Sequence, residues 1–291
     1  MMKCIKIAAV LLGIALPATA WAQTALKPLG NGVYNFVAHG YTSMIVVGAK
    51  GALVVDPAWS GRAKEIKKAV AAVTRNPITH VVLTHEHYDH VGGTEIFDGA
   101  EIVCHVTCQD IFDLDVLGVA PKKVTKSFNE EMTIDLGART VELKHLGAGD
   151  GVATTVVYVP SAQVVATTDL YVPLALTDGN YLDDKNYLGT RKILNEVAKW
   201  PLKHAISGHA ESTDPSALRD NAAFLNDLYA EVKSRLDKAI AKGGAPAAFG
   251  LLLSGKLSAE VKLPKYASWK GYDAHLAKHV WRMGMSIIHG G

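Results

Sequence analysis

Four side chains able to bind a metal ion fall within six residues: His85, His87, Asp89 and His90, in the run Thr84-His85-Glu86-His87-Tyr88-Asp89-His90. Core packing asks for none of them. Side chains of an extended segment alternate with a period of two, so His85 and His87 project to one side and can share an ion. Asp89 and His90 lie further round the turn and can hold a second ion nearby. Imidazole with carboxylate suits zinc, or iron and manganese where carboxylates dominate. The plain alternative is a polar turn of solvated histidines.

Something must hold these residues in register. Before the run, Ile78-Thr79-His80-Val81-Val82-Leu83 is short, β-branched and apolar, which predicts a buried strand. After it, Val91-Gly92-Gly93-Thr94 carries a Gly pair that can start a helix and let backbone approach closely. The candidate ligands therefore sit in a loop after a strand, where open α/β sheets place their sites.

The His-x-His-x-Asp-His run resembles the signature of the metallo-β-lactamase fold superfamily. The resemblance implies an α/β protein, a four-layer αββα sandwich with the site along one edge. It also implies a third His, a bridging Asp and a last His from later loops, in that order. Val164-Val165-Ala166-Thr167-Thr168-Asp169 is a strand ending in an acid, which makes Asp169 the expected bridging ligand; an exposed loop Asp is the alternative. Ile206-Ser207-Gly208-His209 ends a strand with the Gly-His element, which makes His209 the last ligand. The third His is missing. Counting back from Val156-Val157-Tyr158-Val159-Pro160 lands on Gly147-Ala148-Gly149-Asp150-Gly151, so Asp150 stands where that His belongs. His145 lies one element earlier, inside a strand, and reads as a core or surface histidine.

On this reading His85, His87 and Asp150 hold one ion, and Asp89, His90 and His209 hold the other, with Asp169 shared. Two zinc ions per chain are expected. Three carboxylates make the set harder and more negative, which moves the preference towards iron or manganese. Asp150 could also bind poorly and leave only the second set filled. The resemblance implies a metal-dependent hydrolase, in which a held water has its pKa lowered towards ~7 and attacks a carbonyl. Asp89 and Asp169 would position the ions and relay the proton. Esters, thioesters, lactones and β-lactams all remain open as small-molecule substrates, lying under the loop 171–187. Two other readings stand beside it. His85, His87 and Asp150 form a two-His, one-carboxylate set, the pattern of non-haem iron oxygenases, which allows an oxidoreductase of the sulfur-dioxygenase kind. A metal-binding or partner-binding protein without catalysis is the third.

The chain has 291 residues, 49% of them hydrophobic, ample for one full-sized core. Residues 1–22 read as a secretory signal peptide: Lys3 and Lys6, an apolar stretch 7–16, then Ala20-Trp21-Ala22 before Gln23. The stretch is short for a bilayer span. This predicts a periplasmic or secreted protein with no membrane attachment after cleavage. Loss of Lys3 and Lys6 brings the 30 basic residues level with the 28 acidic ones. A neutral mature chain has no general attraction for polyanions, which argues against nucleic acid as a partner. Nothing in the sequence bears on oligomeric state. Cys104 and Cys108 remain in an oxidising compartment. Two buried free thiols are slightly favoured over a disulfide across four residues, which is geometrically demanding; metal ligation by the pair is the least favoured.

Along the chain, residues 29–58 read as three strands with a hairpin at Gly48-Ala49-Lys50-Gly51. His39-Gly40-Tyr41-Thr42 is a flap over the site or a plain connection. Asp56 either orients a ligand or caps the next helix, over 61–74. A strand at 99–106 and a short helix at 109–117 follow, then strand after strand from 123 to 168. Helix returns at 189–199 and a strand at 205–207. A metallo-β-lactamase-fold domain is expected over 23–213, with a C-terminal helical extension at 214–291 packed on the sandwich. The extension opens on a long amphipathic helix, 214–242, with Asp214 as N-cap and Pro215 at its first position. A last helix spans 272–288. Pro264-Lys265-Tyr266, Trp269, Tyr272 and His275 resemble the tails of glyoxalase-like secreted family members, or simply pack the tail down.

Overall fold

The computed structural model describes residues 25–183 and 185–290. The predicted signal peptide and its cleavage point lie outside the described residues. Seven strands form the first sheet: β1 (Ala25–Gly30), β2 (Val33–Ala38), β3 (Tyr41–Val47), β4 (Ala52–Val55), β5 (Ile78–Val82), β6 (Glu101–His105) and β7 (Lys126–Phe128), in sequence order. β1 to β4 pair antiparallel; β4 to β7 pair parallel. The second sheet holds β8 (Glu131–Asp135), β9 (Thr140–Lys144), β10 (Val156–Val159), β11 (Val164–Thr168) and β12 (His204–Ser207), with β12 parallel to β11 at one edge.

Alternation along each strand builds the layers. Leu53 and Val55 of β4 and Val157 and Val159 of β10 join one core with Val33, Val46, Val82, Leu143 and Ile206, which is the seam between the sheets. The intervening residues point outward. Ala52 and Val54 meet Ala63, Ile66 and Val70 of α1 (Ser60–Val73) on one outer face. Val156 and Tyr158 meet Ile193 and Leu194 of α4 (Tyr187–Val197) on the other. Helix, sheet, sheet, helix is the αββα sandwich that the resemblance implied.

Two short helices lie at the strand ends on the first sheet's side. α2 (Tyr88–Val91) begins inside the His-rich run and ends at Gly92, and Gly93 starts the short 3-10 helix Thr94–Ile96 as expected, so the pair both stops one helix and starts another. α3 (Cys108–Phe112) is shorter than the 109–117 expected, because the Asp115 carboxylate accepts the N–H groups of Leu117, Val119 and Ala120 and turns the chain into a loop. Cys104 and Cys108 are joined in a disulfide, with Cα atoms 6.1 Å apart. This corrects the free-thiol expectation: one turn at the end of β6 brings the Cα atoms into bonding range.

The C-terminal helices complete the outer layer. α5 (Pro215–Leu253) starts on the expected cap, Asp214 accepting the Ser216 N–H at 2.9 Å. Its backbone breaks at Gly243 and Gly244, where the long amphipathic helix was expected to stop, and a further helical segment carries on to Leu253. α6 (Lys256–Glu260) and α7 (Tyr272–His289) follow. Leu218, Leu225 and Leu228 of α5 and Val280 and Met283 of α7 share the core of Ile193, Val165 and Ala205. The fourth layer is thus built from both α4 and the tail. No described helix is long and apolar enough to cross a membrane.

Candidate metal centre

All seven residues expected to bind metal converge at one edge of the sandwich. Each comes from a strand end. His85, His87, Asp89 and His90 follow β5; Asp150 precedes β10; Asp169 follows β11; His209 follows β12. Three groups form, within each of which one ligand atom per residue lies within 4.8 Å of the others: a first set of His85, His87 and Asp150, a second set of Asp89, His90, Asp169 and His209, and a buried group of Asp56, His85 and His90. Asp169 is thus placed with the second set. The imidazole rings of His85 and His87 lie 4.4 Å apart and those of His85 and His90 4.5 Å apart. His145 is elsewhere: its ring stacks on His105 and its Nδ1 meets the Thr154 carbonyl at 2.9 Å.

The second set is held by mutual contacts. Asp169 Oδ2 lies 3.0 Å from Nε2 of both His90 and His209. Burial by itself would push the Asp169 acid up, but His90 and His209 outweigh it and hold the carboxyl well below its ordinary range. Burial likewise works to lower His90, yet Asp169 and Asp56 prevail and raise it. His85 goes the other way: burial, His90 and His87 hold it far below its ordinary value, so it is neutral and has a lone pair to give.

Two buried polar atoms in this cluster have no hydrogen-bond partner, His85 Nε2 and Asp169 Oδ1. An orphaned buried acceptor costs free energy unless something else satisfies it. Neutral imidazole and carboxylate oxygen are both metal donors. The residues present therefore fit a metal ion, on two observations: converging donors and unsatisfied ones.

Asp56 ties the strand ends together. Its carboxylate accepts the Thr84 N–H at 2.8 Å, the Thr84 hydroxyl at 2.6 Å and the Thr168 hydroxyl at 3.1 Å, and lies 3.6 Å from His90 Nδ1. Thr84 precedes His85 and Thr168 precedes Asp169, so one buried acid aligns ligands from both sheets. It does not cap α1, whose N-cap is Trp59. Asp56 and Thr168 both adopt left-handed backbone, at φ +49° and +46°, a strained conformation that recurs at functional sites.

Three further residues complete the surroundings; Tyr41 was named from the sequence only within the 39–42 flap or connection, and Glu86 and Lys185 were not singled out. Tyr41 stands beside the His39-Gly40 turn, donates to Asp89 Oδ2 at 3.1 Å and sets its ring 4.5 Å from that of His209. The turn thus places a side chain against the second set. Glu86 accepts the N–H groups of Val152 and Ala153, fixing the loop that carries Asp150. Gly151 there has φ +85°, and a Cβ on it would meet the Glu86 carboxylate at 2.5 Å. Lys185 is the third. Its Nζ lies 3.1 Å from Asp150 Oδ2 and donates to the Asp169 carbonyl at 2.6 Å, with both side chains buried. Burial raises the Asp150 acid, and Lys185 offsets part of that. A lysine in a loop carries no periodic signal, and its partners lie 35 and 16 positions away. The rest of the 171–187 loop is tied to the tail, Leu176 donating to the Lys270 carbonyl at 2.9 Å.

A groove outside this cluster runs over β8, β9 and β10 beside α4. It is lined by Glu131, Glu142, Lys144, Tyr158 and Trp200, and Lys144 pairs with both of those acids. None of the groups of converging metal donors among the described residues lies in it.

Comparison with known proteins agrees with this geometry. Residues 38–209 match the family described as the metallo-beta-lactamase superfamily. The chain is 25% identical over 160 residues to the 2,4-dinitroanisole O-demethylase subunit alpha of Nocardioides sp. (strain JS1661), a match covering 53% of this chain and 48% of that protein. It is 26% identical over 155 residues to a metallo-beta-lactamase type 2 of Bacillus sp. (strain 170), covering 50% of this chain and 54% of that one. The chain thus spans about half the length of these two relatives. The fold superposes on a metallo-beta-lactamase from Pontibacter korlensis with a TM-score of 0.61 and 20% identity, over 70% of this chain and 99% of the other. With the motif, the αββα layers and more than half of its length matched, the chain belongs to the metallo-beta-lactamase superfamily.

Proposed function

We infer that the protein is an exported metal-dependent hydrolase of small molecules, holding two zinc ions at the edge of the sandwich. The observation that carries this is the pair of unsatisfied buried donors, His85 Nε2 and Asp169 Oδ1, among converging His and Asp side chains. His85, His87 and Asp150 would hold one ion; Asp89, His90, Asp169 and His209 would hold the other. Bound metal supplies an acidified water and a Lewis acid for a substrate carbonyl.

The chain's own groups do the rest. The Asp56 carboxylate, 3.6 Å from His90 Nδ1, favours the proton on that nitrogen and leaves Nε2 facing Asp169. Tyr41 holds one oxygen of Asp89 in place. With metal bound, Asp89 and Asp169 would be the carboxylates placed to relay a proton to the leaving group. The substrate class this supports is a carbonyl compound: ester, thioester, lactone or β-lactam. The superfamily relatives named above include β-lactamases and a demethylase subunit, so kinship does not choose among these.

The test is metal analysis of protein purified without added metal, with hydrolysis assays on one chromogenic substrate of each class. Two zinc ions per chain and turnover of one class are expected. One iron per chain with oxygen consumption would replace this reading with an oxidoreductase. No bound metal would end it.

A further inference from the structure

Backbone and side-chain contacts both tie Lys185 to Asp150 of the first donor set. Asp150 and Lys185 form an antiparallel β-bridge, and the Asn186 N–H donates to the Gly149 carbonyl at 2.8 Å. The two loops therefore meet as a small ladder, and the side chains close it. Lys185 Nζ takes Asp150 Oδ2 at 3.1 Å and the Asp169 carbonyl at 2.6 Å; the two side chains are 6% and 8% exposed. An ammonium group this deep is retained only when paired, and so is a carboxylate. Its acceptors lie on one loop from each donor set, which links the two.

We propose that Asp150 and Lys185 work as one unit, a ligand of zero net charge that takes the place of a neutral imidazole in the first metal-binding set. The charge count follows from the side chains. As metal ligands His85 and His87 bring no charge, Asp150 brings one negative charge, and Lys185, 3.1 Å from Asp150 Oδ2, cancels it. A divalent ion at this position meets the same total charge as it would among three neutral histidines. This removes the charge argument for iron or manganese made from the sequence, and leaves only the hardness of one oxygen donor. It also reverses an expectation. From the sequence alone, Asp150→His completes a three-His set and should hold zinc more tightly. With Lys185 in place, that substitution strands a buried ammonium beside the incoming ion.

The proposal rests on the two-ion reading above, and the experiment separates them. The metal-stripped mature chain is titrated with Zn2+ against a chromophoric chelator, for the parent, D150H, D150H/K185M, D150N and D150N/K185M. The parent should take up two ions, one of them lost in His209→Ala. D150H should bind the first-set ion at least about tenfold more weakly than the parent, the scale set by losing a ligand's supporting partner. Adding K185M to D150H should restore binding to within roughly threefold of the parent. The near-isosteric pair D150N and D150N/K185M keeps the contrast if the histidine variant does not fold: the double variant should again bind more tightly than the single one. If D150H binds zinc as well as the parent, or if K185M fails to rescue either single variant, the charge-paired unit is refuted. A parent with one ion, lost in His209→Ala, refutes the unit and the two-ion count but leaves a single metal site in the second set standing. A parent with no zinc overturns both.

Discussion

Replacing Asp56 by alanine should damage both stability and metal affinity, by amounts the structure lets one work out. The carboxylate is 2% exposed and accepts three hydrogen bonds, from the Thr84 N–H, the Thr84 hydroxyl and the Thr168 hydroxyl. Its removal leaves the Thr84 N–H and the Thr168 hydroxyl buried without that acceptor. Each such orphan costs roughly 1–3 kcal/mol. Alanine must also take the left-handed backbone at φ +49°, where aspartate is tolerated better, for about 1 kcal/mol more. The sum is about 5 kcal/mol, or a Tm lower by roughly 10–20 °C for a chain of this size. Asp56→Asn separates the two effects. It keeps an acceptor for the Thr84 N–H and tolerates the backbone, so the stability cost should fall to about 1–2 kcal/mol. It places an amide N–H2 or a weaker acceptor towards His90 Nδ1, so zinc affinity should still drop about 10–100-fold. Urea unfolding of the metal-free protein measures the first quantity and chelator competition the second. An alanine variant within about 1 kcal/mol of the parent, with zinc affinity unchanged, would refute the role of Asp56 as the tie between the strand ends.

Other outcomes follow from the same geometry. His209→Ala should lose about one metal ion per chain with the far-UV circular dichroism unchanged, since His209 sits at the rim of the cluster; unchanged metal content removes it from the site. His279 is buried between Tyr187 and the Thr177 carbonyl, and burial lowers its pKa from 6.5 to about 4. The unfolded chain therefore binds a proton that the folded chain refuses, so stability is full above pH 6.5 and declines as pH falls to about 4, by about 3 kcal/mol in all. Denaturant midpoints of the metal-free protein should show this slope, and His279→Gln should flatten it; equal slopes in the two proteins would sink the assignment.

Much of the site was legible because its parts are local. His85, His87, Asp89 and His90 are neighbours in the chain, and the apolar strand before them is a run of adjacent residues. Asp169 and His209 each close an apolar strand, and the resemblance to the family's bridging Asp and Gly-His element singles them out there. The layers were legible for a similar reason: alternation in Ala52-Leu53-Val54-Val55 and Val156-Val157-Tyr158-Val159 assigns each side chain to a face before any partner is known. What tertiary structure decided are contacts between segments far apart in sequence, which leave no period to read. Asp56 could have been a helix cap until Thr84 and Thr168 were seen to donate to it. Cys104 and Cys108 are joined by the turn after β6, whose geometry their spacing does not dictate. The charge of the first donor set depends on Lys185, thirty-five positions from Asp150 and brought to it by the pairing of two loops. Ligand identity is a local property of the chain, whereas the charge a metal ion meets is summed over everything folded around it, and only the fold supplies that sum.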